Sequence, residues 1–358
     1  MTMNPRKGAR LYAPDLDAIH GLARAGFLSA DQLRRHFYPQ SSERTTTNRL
    51  AQLAREGFFS RTASFPHSTP QSIGRPIYVY YWTPPNHTRL RTYLEDHAQA
   101  SEWHTNFAYL APLNNHEQRF SQLYLAHETD IVEYFLCLER DAPRHGWDIP
   151  FWERTSPFSK ELRAASGLEY GKLTITEEVR KQKNNQTYTE TRESDVTFNP
   201  DGAYCLKSPD DRYELAFHEE DNNTSDPRKF RQKLIAYHAF DEQGYFAHLR
   251  DYYIKKYQLP DARVSTGFRV TTATPDGARR DTLFLDSLSL KAYKRFLFAS
   301  MEDVTPTTAF SDIWIRGKEY DPIRKQIAAL PPETAPAIYT RTLYQLLDTM
   351  PRVSLATD

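Results

Sequence analysis

The stretch Asn199-Pro-Asp-Gly-Ala-Tyr-Cys-Leu-Lys-Ser-Pro-Asp-Asp-Arg-Tyr-Glu-Leu-Ala-Phe-His-Glu-Glu-Asp221 decides how the chain is read. Ala203–Leu206 and Tyr213–Phe217 are short runs of strand composition, and Ser208-Pro-Asp-Asp211 between them is a turn signal, so together they predict a hairpin. Asp201 opens the first strand and the acidic run Glu219-Glu-Asp221 closes the second, which brings the two ends together. A helix is expected next, from about Pro227 to Phe240, with Phe230, Leu234 and Tyr237 on one face and Lys229 and Lys233 beside them. Gly267–Thr272 reads as a buried strand, and Ser287 as the cap of a further helix running to about Ala299. Strands, helix, strand, helix is an α/β core.

Converging carboxylates supply hard oxygen ligands for Mg²⁺ or Mn²⁺ and leave positions open for water. Such an ion activates water and stabilises charge on a phosphodiester. The expected metal ligands are Asp201, Glu219 and Asp221, and Lys233 is expected to reach the same point and neutralise developing charge. These residues also have a structural reading. Asn-Pro-Asp-Gly is a common turn sequence, Pro275-Asp276-Gly277 repeats the tripeptide with no acidic strand after it, and His218–Asp221 reads equally as a solvated strand end. Acid, acid and lysine in this order resemble the PD-(D/E)xK nuclease core, with one departure. Asp221 stands where that superfamily usually has its lysine, and Lys233 fits the position of members that carry the lysine on the following helix.

Upstream of the core, Leu173–Thr176 is strand-like, and Lys183-Asn-Asn-Gln186 reads as a hairpin loop before runs at Thr187–Thr191 and Val196–Phe198. Residues 86–165 read as a helical connector with amphipathic stretches at Tyr93–Ala98 and Phe120–Leu138. The nuclease-like core is placed at 166–330, and 331–358, rich in Pro and Thr, as a peripheral tail.

The first residues, 1–13, read as a flexible polar arm. From Pro14 the pattern is helical: Leu16, Ile19 and Leu22–Ala23 share a face, and Gly26 stops the helix. Ser29-Ala-Asp-Gln32 is a capping box opening a second helix, which ends before Pro39. Ser42 caps a third helix, with Leu50, Leu53 and Ala54 inside and Gly57 past its end. Strands at Phe58–Arg61 and Pro76–Trp82 follow, around a long polar loop. That order over 14–85 is the plan of a winged helix-turn-helix. Arg44, Thr45, Thr46, Asn48 and Arg49 on the third helix have the chemistry to read base edges and hold phosphates, and Arg61 and Arg75 are placed on the wing. Charge agrees with a polyanionic partner: residues 1–92 carry thirteen Lys/Arg against five Asp/Glu, although the whole chain has 46 of each. Winged helices also mediate protein contacts, which leaves an adaptor as an alternative.

Composition excludes other classes. The 358 residues are 39% hydrophobic, with a mean hydropathy of −0.71, and no stretch approaches the roughly 20 apolar residues of a membrane span. Residues 1–7 lead into no apolar run, so a secretory signal is not expected and the location is read as cytoplasmic. Cys137 and Cys205 cannot build a disulfide framework or a cysteine zinc site. No phosphate-loop motif is present, so no nucleotide cofactor is expected. No His-hydrophobic-His motif exists for a metal-dependent relaxase site, and Tyr252-Tyr253 lies in a Tyr-rich segment that favours packing over a nucleophilic role.

Taken in order, the motifs resemble the replication-relaxation proteins of plasmids and other mobile elements. The Gly-rich wing and Tyr-rich strand are Gly74-Arg-Pro-Ile-Tyr78, the histidine of the helical stretch is His116 or His127, and the Trp/Glu segment is Trp152-Glu153. Pro200-Asp201-Gly202, Glu219-Glu-Asp221, Lys233-Leu-Ile-Ala-Tyr237 and the late strand Phe268–Thr272 with its following arginine complete the series over about residues 14–315. Asn222 and Asn223 replace the more usual Arg-Gly before Thr224. The resemblance implies a restriction-endonuclease-like domain behind a DNA-binding head. The expectation is therefore an α+β protein that binds double-stranded DNA and nicks it with Mg²⁺ or Mn²⁺. The alternative is a DNA-binding regulator or replication accessory factor whose nuclease-like domain is inactive and dimerises.

Overall fold

Pro14 in the first turn and Gly26, at a φ of +80°, past the last turn bracket helix α1 (Ala13–Ala25), whose inner face is Ala18, Ile19 and Leu22. The structure, a computed structural model, describes residues 10–64, 77–96, 122–155, 160–168, 171–183, 186–222, 226–288, 290, 293–320 and 352–356. Strand β1 (Phe27–Ser29) leads into α2 (Ala30–Phe37), where Ser29 Oγ accepts the Gln32 N–H at 3.1 Å and Gln32 Oε1 accepts the Ser29 N–H at 2.8 Å. Ser42 caps α3 (Glu43–Arg55), which buries Thr46, Leu50 and Leu53. Gly57, at a φ of +83°, turns the chain into β2 (Ser60–Ser64). β3 (Ile77–Tyr81) pairs antiparallel with both β1 and β2 and lies between them. The three-residue β1 has no counterpart in the sequence reading, being too short to show alternation. Helices α4 (Pro84–Asp96) and α5 (Gln122–Asp141) follow.

The chain divides into two compact units, Met1–Glu133 and Tyr134–Asp358. Within the first, Arg35 donates to both oxygens of Glu133 at 2.5 and 3.1 Å, and His36 Nε2 lies 3.1 Å from Oε1. Burial opposes the charge on Glu133, but His36 and Arg35 outweigh it and hold the carboxyl at about 2. A carboxyl lowered on folding stabilises the fold fully above its ordinary value and loses that contribution as the pH falls through the folded value. Arg35 is about a third exposed, so the expected loss between the ordinary value near 4.5 and pH 2 is reduced to about 2 kcal/mol. Urea titrations of wild type and Glu133→Gln, followed at the Ile19 methyl signals, check this; equal acid sensitivity in both would refute it.

The second unit contains β4 (Asp148–Arg154), α6 (Lys160–Ser166), β5 (Lys172–Lys183), β6 (Gln186–Thr197), β7 (Gly202–Lys207) and β8 (Tyr213–Glu220). Then come α7 (Pro227–Glu242), α8 (Tyr245–Tyr257), β9 (Val264–Thr274), α9 (Gly277–Ser287), β10 (Phe296–Ser300) and β11 (Ile315–Arg316). One mixed sheet runs β11-β10-β9-β8-β7-β4, with β8, β9 and β10 parallel and the other neighbours antiparallel. The fold is α+β. Its core joins Phe217, Phe268, Val270 and Phe298 of the sheet to Leu234, Phe240, Leu283 and Phe284 of the helices. β5 and β6 form a separate two-stranded ribbon.

Four expectations change. The span 86–165 is not wholly a helical connector, because Asp148–Arg154 is an edge strand of the large sheet. Ser287 ends a helix rather than starting one: α9 begins at its cap Asp276, and Phe296–Ser300 is a strand. The runs at 187–191 and 196–198 are largely one strand, β6. The described part of the tail is not peripheral, since Leu355 is fully buried, its carbonyl accepts from Arg269 at 2.9 Å, and Val353 bridges to Trp314. Arg75, Gly74, His116, Thr224 and most of the arm and tail lie outside the described residues.

Candidate functional site

The predicted turn closes as Ser208 N–H donates to Arg212 O at 2.8 Å and Ser208 Oγ accepts the Arg212 N–H at 3.0 Å, with Asp211 at a φ of +62°. This sets the register that pairs Gly202 with His218, so Asp201 arrives beside the end of β8. Asp201 N–H donates to His218 O at 3.1 Å, and Asp201 Oδ2 accepts the Glu220 N–H at 2.9 Å. Gly202 is needed for close approach. A Cβ there would stand 2.6 Å from the Phe135 ring and 3.3 Å from Glu153 O.

Alternation along β8 turns Leu215, Phe217 and Glu219 toward α7, where Phe217 meets Tyr237 at 5.6 Å between ring centroids. Lys233 and Tyr237 are four residues apart on α7, one turn, and each takes one oxygen of Glu219. Lys233 Nζ donates to Oε2 at 2.5 Å and Tyr237 OH to Oε1 at 2.6 Å. The same ammonium lies 3.5 Å from Asp201 Oδ2. Asp201, Glu219 and Lys233 are thus brought together as the sequence predicts. Asp221 is not joined to them. Its carboxylate accepts from Arg279 Nε at 2.5 Å and Nη2 at 3.3 Å; Asp221 is buried and Arg279 half-buried. The expectation of three converging carboxylates is corrected to two, because α9 supplies Asp221 with a cation of its own.

Burial pushes the Glu219 carboxyl up to about 7; Asp201 adds to the rise, and Lys233 opposes it without cancelling it. Burial disfavours the Lys233 ammonium, but Glu219 and Asp201 outweigh that and raise it above its ordinary value. The cluster therefore holds a desolvated carboxylate pair that one ammonium compensates only in part. A donor set of carboxylate oxygens alone suits a hard divalent cation such as Mg²⁺ or Mn²⁺, and the raised Glu219 carboxyl is the group such a cation would ease into its ionised form. By this chemistry Asp201 and Glu219 fit a metal, while Asp221 is committed to Arg279.

The other face of β8 is closed. His218 is fully buried and stacks on Tyr134 with ring centroids 3.7 Å apart; its Nδ1 lies 3.3 Å from Thr271 Oγ1 and its Nε2 3.4 Å from Glu220 Oε2. The expectation of a solvated strand end is overturned, since His218, Glu219, Glu220 and Asp221 are all buried. Tyr253 is buried against Phe151 at 5.1 Å and Tyr252 OH donates to Glu161 at 2.7 Å, as the packing reading expected.

On α3, Arg44, Thr45 and Asn48 are exposed. Thr46 is buried on the inner face and cannot meet DNA. Arg49 is also turned inward: it donates to Asp15 at 2.5 and 3.0 Å and to Arg10 O at 2.7 Å, so its role is to tie α3 to α1. Arg61 is exposed on β2 with its guanidinium 4.9 Å from the Tyr78 ring centroid, and Tyr78 is itself exposed.

Two participants escaped the sequence reading. Tyr237 reads as a packing residue from its helix face but also donates to Glu219. Arg279 had a visible signal, since Asp276 in the repeated Pro-Asp-Gly caps α9 by accepting the Arg279 N–H at 2.8 Å. Compared with known proteins, the chain matches no family model, no curated protein and no solved structure.

Proposed function

We propose that the chain binds double-stranded DNA through Met1–Glu133 and cleaves a phosphodiester bond at the Asp201–Glu219–Lys233 cluster. In this reading the first unit is a winged helix-turn-helix and the second a PD-(D/E)xK nuclease-like domain, in the manner of the replication-relaxation proteins the sequence resembles. The observation that carries it is the Lys233 ammonium, 2.5 Å from Glu219 and 3.5 Å from Asp201, reaching both carboxylates from the helix after the strand. That is the arrangement of an acid pair with a helix-borne lysine.

Asp201 and Glu219 would hold Mg²⁺ or Mn²⁺, which when bound supplies an activated water and charge neutralisation at the phosphate. Tyr237 fixes the Glu219 carboxylate by donating to Oε1, leaving Oε2 to Lys233. The raised Lys233 keeps its proton at neutral pH and sets a positive charge where the phosphodiester would gain negative charge. Buried Phe217 and Phe198, both packed against Tyr237, exclude water from the helix side of the cluster. Arg44, Thr45 and Asn48 form the surface offered to a major groove, with Arg61 on the adjoining strand β2.

One observation favours the regulator instead. Both Glu219 oxygens and the Asp221 carboxylate already have donors within the protein, as a purely structural network requires. Supercoiled plasmid with Mg²⁺ or Mn²⁺ separates the two readings. Nicking by wild type, reduced about a hundredfold or more in Asp201→Ala and in Lys233→Ala, is the expected result. Equal background in all three proteins, with DNA still bound, would establish the regulator.

A further inference from the structure

A cavity of about 400 Å³ opens at the end of the large sheet where β8 and β9 begin. Glu214 in its wall stands five residues of strand, about 17 Å, from Glu219, so the cavity is a different place from the Asp201–Glu219–Lys233 cluster. Its volume lies within the range of sites that hold a small organic molecule. The wall carries two aromatic rings, Trp147 and Tyr213, and three guanidinium groups, Arg212, Arg263 and Arg269, against the single carboxylate of Glu214.

Local structure builds this wall. Gly146, at a φ of +76°, closes the helical turn Ala142–His145, and a Cβ on it would stand 3.4 Å from Pro209, so this loop lies against the Ser208–Arg212 turn. Trp147 follows directly; its N–H donates to Ala142 O at 3.0 Å, its ring lies 5.8 Å from Phe310, and it remains half-buried. Arg269 is buried. It donates from Nε to Glu214 Oε1 at 2.8 Å, from Nη2 to Oε2 and from Nη1 to Leu355 O at 2.9 Å. That pair neutralises the carboxylate at a desolvation cost that apolar side chains of similar volume would not carry, so packing alone does not account for it. Arg212 and Arg263 stand at the rim. Arg212 Nε donates to Asp210 at 2.7 Å and Arg263 Nη1 to Asp211 at 2.6 Å, and all four side chains are about half exposed or more. Such pairs contribute about 0–1 kcal/mol, so either guanidinium can turn to an incoming anion at little cost.

The geometry points to a nucleotide-binding site, in which a base lies against Trp147 and Tyr213 and its phosphate is held by Arg212 and Arg263. Aromatic rings hold bases by stacking, and guanidinium forks match pairs of phosphate oxygens. Ser265, exposed in the same wall, supplies a hydroxyl for the sugar or the phosphate. A phosphate held by arginine side chains requires no phosphate loop. The same chemistry is presented by a free mononucleotide and by the unpaired end nucleotide of a DNA strand. The site goes beyond the DNA-cleavage reading and stands without it.

Isothermal titration calorimetry of the full chain with dAMP, dGMP, inorganic phosphate and a 5′-phosphorylated six-nucleotide single strand tests the assignment. Arg212→Gln/Arg263→Gln should weaken nucleotide binding about tenfold or more, and Trp147→Leu about tenfold. Ser265→Trp fills the cavity from an exposed position and should abolish binding, which keeps the test decisive if Trp147→Leu fails to fold; circular dichroism checks each protein. Asp201→Ala should bind as wild type does, and inorganic phosphate, which has no base to stack, about tenfold more weakly than dAMP or dGMP. Binding of the mononucleotides supports a free nucleotide as the ligand, and binding confined to the strand supports a DNA end, provided that the arginine variant weakens it. No binding of any nucleotide probe, or equal binding by wild type and the arginine variant, would overturn the site. Inorganic phosphate binding as tightly as dAMP would overturn it as well, leaving an anion site without a place for a base. Loss in Asp201→Ala with binding kept in the arginine variant would move the nucleotide to the carboxylate cluster and leave the cleavage reading standing.

Discussion

In metal-free buffer the Tyr134–Asp358 unit is expected to lose about 3 kcal/mol of stability as the pH rises from about 4.5 to about 7, and Glu219→Gln to remove that loss. Burial raises the Glu219 carboxyl to about 7 from an ordinary 4.5, Asp201 adds to the rise, and Lys233 at 2.5 Å offsets only part of it. Between those values the folded protein keeps a proton that the unfolded chain has released. Raising the pH across the window therefore favours unfolding, the opposite sign to Glu133 in the first unit, whose carboxyl is held at about 2. Urea titrations at several pH values, read from the Phe240 and Phe268 ring signals, measure the slope directly. A wild-type stability that is flat or rises over this range would mean that Lys233 holds Glu219 fully ionised.

Lys233→Met is expected to cost about 3 kcal/mol at pH 8 and under about 1 kcal/mol at pH 5. Removing one partner of a buried ion pair strands the other, and Glu219 is 1% exposed. The lysine side chain is 36% exposed, which places the cost at the low end of that effect. Methionine restores most of the apolar stem, so the difference reports on charge. At pH 5 Glu219 takes up a proton and the stranded charge disappears. The double variant Glu219→Gln/Lys233→Met should recover most of the loss at pH 8. Equal stability of Lys233→Met and wild type at both pH values would show that the ammonium compensates nothing.

The hairpin and helix that build this cluster were legible because their signals are local. Ser208-Pro-Asp-Asp211 fixes the turn, the turn fixes the register, and the register delivers Asp201 to Glu219. Lys233 and Tyr237 share a helix face by spacing alone. The partner of Asp221 is not legible in the sequence, because Arg279 lies 58 residues away on a helix whose cap reads as a turn. β10, Phe296-Leu-Phe-Ala-Ser, is buried on every residue and shows no alternation, so its composition suits a buried helix equally well. Ser287 reads as a start but ends its helix, with its hydroxyl donating back to Phe284 O at 2.6 Å. The inward turn of Thr46 was available in the sequence, since Thr46, Leu50 and Leu53 recur at helical spacing.

The candidate cluster is also short in sequence. Asp201, Glu219, Lys233 and Tyr237 fall within one hairpin and the helix after it, whereas the Tyr134–Thr271 hydrogen bond behind His218 spans 137 residues. Closing small loops costs less chain entropy than closing large ones, and contacts between near neighbours form faster. The carboxylates and their lysine are therefore joined at a lower closure cost than the contacts that bring β9 into the sheet. Asp201 and Glu219 thus obtain the partial compensation that Lys233 gives them without the long-range pairing on which β9 and β10 depend.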